Sequence, residues 1–471
     1  MKRVHIIGVA GKATVPIAIA LKQLGWQVSG SDEDVFEPAP TLLNKYGVTW
    51  YEGFEASHVE GSEIVVVGGA VLLKNPQNPE YIKAKELNIK LMSFPELLNE
   101  VLIKPTSVVI CGNYGKTTTT SMTTWMLENA GFNPSYMIGG EAVNFELGVR
   151  LNDSNYSVIE GDEFVSAFNY DMNAKFMHYN PTIALLSSTQ HDHIDAYPTE
   201  ELYIKEFIKL AKLVESNNGK FVVCASGHNN EKVVAEYKGA LITYMVEGHK
   251  QVVPGSINYS ARLLKFNETG TAFEVWHNED KLGEFTTQMI GEPNVENCLG
   301  TIAIANELGI GVEKIQEGIT TFKGVKRRQE IRGYSPSGAT IMEDFAHSAI
   351  KAKSTLEGLR TRYKGKIIAI YSPRISNLSG DAILNEYRGA FELADIVIIP
   401  KVMVKKSTDK SERIHGKDLA DAVSNGRTAG VYLPKNEQIV DYINKNASAG
   451  TLVVFMSAGG WGDLIEKTIN G

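Results

Sequence analysis

The stretch that most constrains this chain is Ser107-Val108-Val109-Ile110-Cys111-Gly112-Asn113-Tyr114-Gly115-Lys116-Thr117-Thr118. A β-branched run enters closely spaced glycines, then Lys and Thr, and leaves into an amphipathic segment carrying Met122, Trp125, Met126 and Leu127. Strand, glycine loop and helix in that order let backbone N–H groups curl around phosphate oxygens, while the helix dipole favours the anion. The pattern departs from G-x-x-x-x-G-K-[ST] at one place, where Ile110 stands for the first glycine. A chance turn before a helix explains G-x-x-G-K-T alone, but not with its strand and helix in place. Lys116 is therefore expected on the β and γ phosphates of ATP, within a cradle of Gly112, Asn113, Tyr114, Gly115 and Thr118. The Thr117 hydroxyl is expected on Mg²⁺.

Such a loop implies a parallel sheet, and the chain supplies strand–helix alternation throughout. Its 471 residues suggest about three domains at ~150 residues each. The reading is α/β in three domains, with boundaries at 1–104, 105–325 and 326–471. In the first, 4–8, 26–29 and 63–68 read as strands and 15–24 as a helix. In the second, strands are expected at 107–111, 156–160, 183–187 and 221–224, and a helix at 294–308. Between 240 and 289, short Thr-, Tyr-, Phe- and Val-rich runs predict an antiparallel patch attached to the main sheet. In the third, strands are expected at 340–342, 366–371, 396–399, 431–433 and 452–456.

In open parallel sheets ligands sit beyond the carboxyl ends of strands. Strand 156–160 ends in Glu160-Gly161-Asp162-Glu163, and strand 183–187 runs into Ser188-Thr189-Gln190-His191-Asp192-His193. Both clusters are expected on the rim of the phosphate loop. Magnesium on nucleotide phosphates takes one or two hard oxygen ligands, which suits Glu163. His193 or Asp192 is the candidate for a second metal. Near the N-terminus, Gly8-Val9-Ala10-Gly11-Lys12-Ala13 follows a strand and precedes a helix, with Asp32 at the end of the next strand. This is G-x-x-G rather than the full dinucleotide fingerprint. Gly8 and Gly11 are read as a nucleotide-diphosphate turn, with Asp32 on ribose or uracil.

Composition excludes other classes. A net charge of −8 gives no basic footprint for nucleic acid. No apolar run approaches the ~18 residues of a membrane-spanning helix. The first residues read as a strand rather than a signal peptide. Cys111, Cys224 and Cys298 are too far apart for a disulfide framework or a metal cluster. A cytoplasmic enzyme or nucleotide-binding protein is expected.

These motifs resemble the Mur ligase family, the ATP-dependent amide-forming enzymes of bacterial cell-wall synthesis. The family's G-T-H-G-K-T-T corresponds to Gly112 through Thr118, and its E-A-D-E to Glu160 through Glu163. Its D-H pair corresponds to Asp192-His193. Its adenine-packing G-x-H-N-x-x-N is similar to Gly291 through Asn297, which brings in Asn294 and Asn297. The V-K-R-R segment stands at Val325 through Arg328, and D-D-[YF]-A-H at Glu343-Asp344-Phe345-Ala346-His347. The muramate-specific branch fits best, through the G-S-D at Gly30-Ser31-Asp32. Lys175 through Pro181, Ser372 through Asn377 and Met456 through Gly460 resemble branch members that recycle wall peptides. Departures stand at Tyr114 (family His), Val165 (Asp), Ser188-Thr189-Gln190 (N-x-E) and Ala349 (Pro).

The resemblance implies a Rossmann-like UDP-sugar domain with Gly8, Gly11, Ser31 and Asp32. It implies a central ATPase-like domain, and a Rossmann-like C-terminal domain that binds the amine. Catalysis falls to Lys116, Glu163 and His193, with Thr117, Glu163 and His193 as metal ligands. Arg328, Asp344 and His347 join the nucleotide on domain closure, and Arg374 and Asn377 hold the incoming peptide. The implied reaction joins UDP-N-acetylmuramate to L-Ala-γ-D-Glu-meso-diaminopimelate through an acyl phosphate. L-alanine as the amine, a non-catalytic nucleotide-binding regulator, and an oxidoreductase built on Gly8 and Gly11 stay open as alternatives.

Overall fold

The computed structural model describes residues 2–33, 35–191, 196–267, 270–289, 291–373, 381–402 and 414–471. The chain forms two compact units, one from Met1–Lys265, Gly270–Met289 and Asn294–Lys323, the other chiefly from Gly324–Gly471.

The first unit opens with strands β1 (Arg3–Ile7), β2 (Gln27–Asp32), β3 (Thr49–Glu52), β4 (Ile64–Val67) and β5 (Lys90–Ser93) in the order β3-β2-β1-β4-β5. All neighbours are parallel. The order reverses at β1, so the turn after Ile7 opens at the switch point where such sheets bind ligands. Strand β2 runs three residues beyond the expected Ser29 and carries Ser31 and Asp32 inside the sheet.

The same unit then builds a ten-stranded sheet. Its strands are β6 (Thr106–Cys111), β7 (Ser135–Met137), β8 (Val149–Arg150), β9 (Tyr156–Glu160), β12 (Ile183–Leu186), β13 (Lys220–Cys224), β14 (Ala240–Val246), β15 (Tyr259–Asn267), β16 (Gly270–His277) and β17 (Asp280–Thr287). A separate hairpin pairs β10 (Val165–Ala167) with β11 (Asp171–Ala174). The order is β17-β16-β15-β14-β13-β12-β6-β9-β7-β8. Strand β6 lies between β12 and β9, parallel to both, so the carboxyl ends of all three share one rim. Strand β14 is parallel to β13, and β15 parallel to β14. The antiparallel patch expected over 240–289 is narrower than expected: the parallel sheet continues through β15, and β16 with β17 forms the antiparallel hairpin at its edge. The connection from Val246 to Tyr259 is long enough for a parallel crossover.

Helix Lys116–Asn129 leaves the rim with a Thr-rich, wholly buried first half. β-Branched residues are modest helix formers. Here some of their hydroxyls find partners: Thr124 Oγ1 donates to Thr120 O (2.7 Å), and Thr123 meets Thr301 Oγ1 at 3.3 Å on helix Glu292–Glu307.

The second unit holds β18 (Glu330–Tyr334), β19 (Thr340–Asp344), β20 (Ile367–Ser372), β21 (Ile396–Ile399), β22 (Ala429–Tyr432) and β23 (Leu452–Ser457) in the order β18-β19-β23-β20-β21-β22. Only the edge strand β18, absent from the sequence reading, is antiparallel to its neighbour.

Candidate active site

Gly112 and Gly115 have φ of +122° and +75°, and both turn tightly. A Cβ at Gly112 would lie 2.1 Å from Ser187 Oγ, and one at Gly115 would lie 2.4 Å from Asn297 Oδ1. Only glycine fits either place. Beyond the turn, Thr119 N donates to Gly115 O (2.9 Å). Among the described residues nothing accepts from the N–H groups of Gly115, Lys116, Thr117 and Thr118. These are the unsatisfied donors of a helix start, aimed where a phosphate would sit. Asn113 donates its N–H to Ser188 O (3.0 Å) and keeps a buried Oδ1 without a partner among the described residues. Asn297 accepts from Thr119 Oγ1 (3.1 Å) and donates to Asn294 Oδ1 (3.2 Å). The structure thus gathers Asn294 and Asn297 at the phosphate loop. Tyr114 holds position through its carbonyl, which accepts from Ser187 Oγ at 2.6 Å, while its ring stays exposed.

The acidic end of β9 meets this loop. Lys116 Nζ lies 2.7 Å from Glu163 Oε2, and Glu163 is completely buried. Burial works against the lysine's charge, but the Glu163, Asp162 and Glu160 carboxylates outweigh it and hold the ammonium well above the usual lysine range. Tyr203 Oη donates to the other Glu163 oxygen (3.0 Å), so this carboxylate is engaged on both sides. Thr117 Oγ1 instead donates to Glu160 Oε1 (3.2 Å). Among the described residues no group of three His, Cys, Asp or Glu side chains could hold a metal. Magnesium on nucleotide phosphates needs only one or two protein oxygens, and Thr117 with Glu160 offers that pair. Thr117 thus faces Glu160, while Glu163, the acid expected on the metal, is the partner of Lys116. Gly161 stands where the family carries Ala, and a Cβ there would meet Cys111 Sγ at 2.3 Å.

Asp162 Oδ2 takes Lys175 Nζ at 2.6 Å. Its partial burial opposes ionisation, but Lys175 and Lys116 prevail and hold the carboxyl well below the usual range. Neither Tyr203 nor Lys175 is among the expected site residues, although Lys175 opens one of the family-like stretches. Tyr203 lies on the helix after β12 and Lys175 on the turn after β11.

The N-terminal turn is built differently. Gly8 N and Val9 N donate to Ser31 O (2.7 and 3.0 Å), and Ala10 N donates to Asp32 Oδ2 (3.0 Å). Thr14 Oγ1 closes the turn onto Gly8 O at 2.8 Å. A cavity of about 300 Å³ opens here, lined among others by Gly8, Gly11, Lys12, Asp32, Lys74 and Lys175. Gly8, Gly11 and Asp32 are thus brought together as expected from their spacing. Ser31 is not. Successive strand residues face opposite sides of a sheet, and Ser31 is fully buried against Glu80 Oε2 and His5 Nε2 (3.2 Å). Its expected role on a UDP-sugar is corrected to one in a buried polar network, where Glu80 also takes His58 Nδ1 at 2.7 Å.

In the second unit, Asp344 is buried and accepts from Ala346 N (2.8 Å), Thr355 Oγ1 (3.1 Å) and Gln329 N (3.0 Å). His347 Nδ1 lies 2.8 Å from Phe345 O, and the Arg328 guanidinium stacks 4.7 Å from the Phe345 ring centre. The neighbouring Arg327 instead ion-pairs with buried Glu343 (2.7 Å). His193, Arg374 and Asn377 lie outside the described residues.

Three family profiles match the chain in order. They are the Mur ligase family catalytic domain at residues 3–104, the Mur ligase middle domain at 110–305 and the Mur ligase glutamate ligase domain at 327–459. The chain is 31% identical over 460 residues to a UDP-N-acetylmuramate–L-alanine ligase of Acetivibrio thermocellus, covering 97% of this chain and 93% of that protein. It is 30% identical over 479 residues to the UDP-N-acetylmuramate–L-alanyl-γ-D-glutamyl-meso-2,6-diaminoheptandioate ligase of Escherichia coli, covering 100% and 98%. Among solved structures, a murein peptide ligase from Psychrobacter arcticus superposes with a TM-score of 0.68 at 26% identity, covering 100% of this chain and 98% of that one.

Proposed function

Because the chain belongs to the Mur ligase family of ATP-dependent carboxylate–amine ligases, we propose that it joins UDP-N-acetylmuramate to the peptide L-Ala-γ-D-Glu-meso-diaminopimelate. The observation that carries the chemistry is Lys116, paired with buried Glu163 at the start of a helix whose first N–H groups have no acceptor among the described residues. A carboxylate is a poor electrophile. Transfer of the ATP γ-phosphoryl group to it forms an acyl phosphate, which the amine attacks, forming the C–N bond and releasing phosphate. Two anions must meet, and Lys116 with the loop N–H groups offsets their repulsion. Magnesium, when bound through Thr117 and Glu160, would supply further positive charge on the phosphates. Glu163 orients Lys116, and Tyr203 orients Glu163.

In this reading residues 1–104 take the UDP-sugar at Gly8, Gly11 and Asp32, residues 105–325 take ATP, and residues 326–471 take the amine. Asn294, Asn297, Arg328, Asp344 and His347 serve the nucleotide. His193 serves a second metal, and Arg374 and Asn377 the peptide, as the family resemblance implies. The reaction is assigned to the cytoplasm, where ATP and UDP-sugars are available. The stretches from Lys175 and from Ser372, together with the E. coli relative, support the peptide as amine. The A. thermocellus relative supports L-alanine as the second reading. An acceptor panel decides: UDP-N-acetylmuramate, ATP and Mg²⁺ with L-alanine, the dipeptide or the tripeptide, read by product mass and phosphate release. Product with L-alanine alone would replace the peptide reading. ATP binding without turnover on any amine would turn the chain into a nucleotide-binding regulator.

A further inference from the structure

The cavity at the first glycine turn has a second wall. Opposite Gly8, Gly11 and Lys12, the central domain contributes Ser166 and Lys175. The Lys175 backbone is pinned, its N–H donating to Phe164 O at 3.1 Å, and its side chain keeps 24% of its surface open. The ammonium rests on Asp162 at 2.6 Å. The adjacent carboxylate, Glu163, holds Lys116 at 2.7 Å. Two adjacent acids therefore hold two lysines, one at the phosphate loop and one at the cavity. An anion entering the cavity would compete with Asp162 for the Lys175 ammonium, a point charge free to swing between carboxylates. Lys12 belongs to the glycine turn, which the ligase reading gives to the diphosphate. Lys175 sits on the wall tied to the phosphate loop, and the part of a UDP-sugar acid that must reach that loop is its carboxylate.

We propose that Lys175 positions the acceptor carboxylate for phosphoryl transfer by exchanging Asp162 for it, an inference that rests on the ligase reading above. The test is calorimetric binding of UDP, UDP-N-acetylglucosamine and UDP-N-acetylmuramate to the full chain, as wild type, Lys175→Ala and Lys175→Arg. These ligands share the diphosphate, and only the last carries the carboxylate. Lys175→Ala should weaken UDP-N-acetylmuramate about tenfold, the size of one charge-assisted contact, and leave the other two unchanged. Lys175→Arg should recover most of the loss, and the KM for UDP-N-acetylmuramate should follow. Equal weakening of all three ligands, or of none, overturns the assignment while the ligase reading survives. A wild-type chain that binds none of them overturns the ligase reading, and this inference falls with it.

Discussion

Two glycine turns in this chain follow a parallel strand and open a helix, yet they commit their first N–H groups differently. At residues 112–118 the helix-start N–H groups have no acceptor among the described residues, and a partly buried lysine stands beside them. At residues 8–14 the N–H groups of Gly8, Val9 and Ala10 are already taken by Ser31 O and Asp32 Oδ2. The first turn can cradle phosphate with its own backbone. The second commits its first three N–H groups to β2, so an anion beside it relies more on side-chain cations such as Lys12 and Lys74 on the cavity wall. Glycine spacing alone does not separate a backbone cradle from a closed turn; the destination of each N–H does.

The contrast is sharpest at the lysines. Lys116→Ala should lower kcat by about 10³-fold, the upper end for loss of one preorganised donor, whereas Lys12→Ala should act mainly on the KM for the UDP-sugar. Removing Lys116 leaves the buried Glu163 carboxylate without its cation, a loss of about 3 kcal/mol in urea unfolding. Adding Glu163→Gln should restore stability but not turnover. Full activity in Lys116→Ala would break the comparison. The glycines come next. Gly115→Ala combines φ of +75° with a 2.4 Å contact to Asn297 and should weaken ATP about 10²-fold. At Gly8, φ is +88° but the nearest atom is 3.1 Å away, on a Val71 methyl. Gly8→Ala should raise the UDP-sugar KM about tenfold and spare ATP, in proportion to the milder crowding. Equal effects on both ligands would mean that the turns are not separate sites.

What was legible in the sequence follows from range. The phosphate loop, its strand and its helix are contiguous, so their chemistry could be read directly. The shared rim of Glu160–Glu163 and the loop followed from parallel topology, and the β9-β6-β12 order carries it. Which acid faces which group was not legible. Glu163 meets Lys116 and Tyr203 across 47 and 40 positions, and the choice between Glu160 and Glu163 depends on a turn closed over Cys111. The family departures also gain local reasons. Ala349 opens helix Ala349–Arg362 behind Ser348, where a proline's missing N–H would have had no helical partner, so alanine serves equally. Val165 is buried in strand β10, paired with Ala174, a place that suits an apolar side chain.

Ser31 gives the smallest functional effect and the cleanest test of the closed turn. Its carbonyl holds Gly8 N and Val9 N, while its hydroxyl points through the sheet to Glu80 and His5. Burial opposes the Glu80 charge, yet the His5, Ser31 and His58 contacts still hold its carboxyl below the usual range. Ser31→Ala removes one donor to that charge, which should reduce stability by about 1.5–3 kcal/mol. The carbonyl is untouched, so UDP-sugar and ATP binding should keep their wild-type constants. Unfolding midpoints in urea and ligand titrations on the same preparation separate the two roles. Lost UDP-sugar affinity with unchanged stability would return Ser31 to the ligand, and would mean that β2 presents both Ser31 and Asp32 to one face, which its pairing with β1 and β3 forbids.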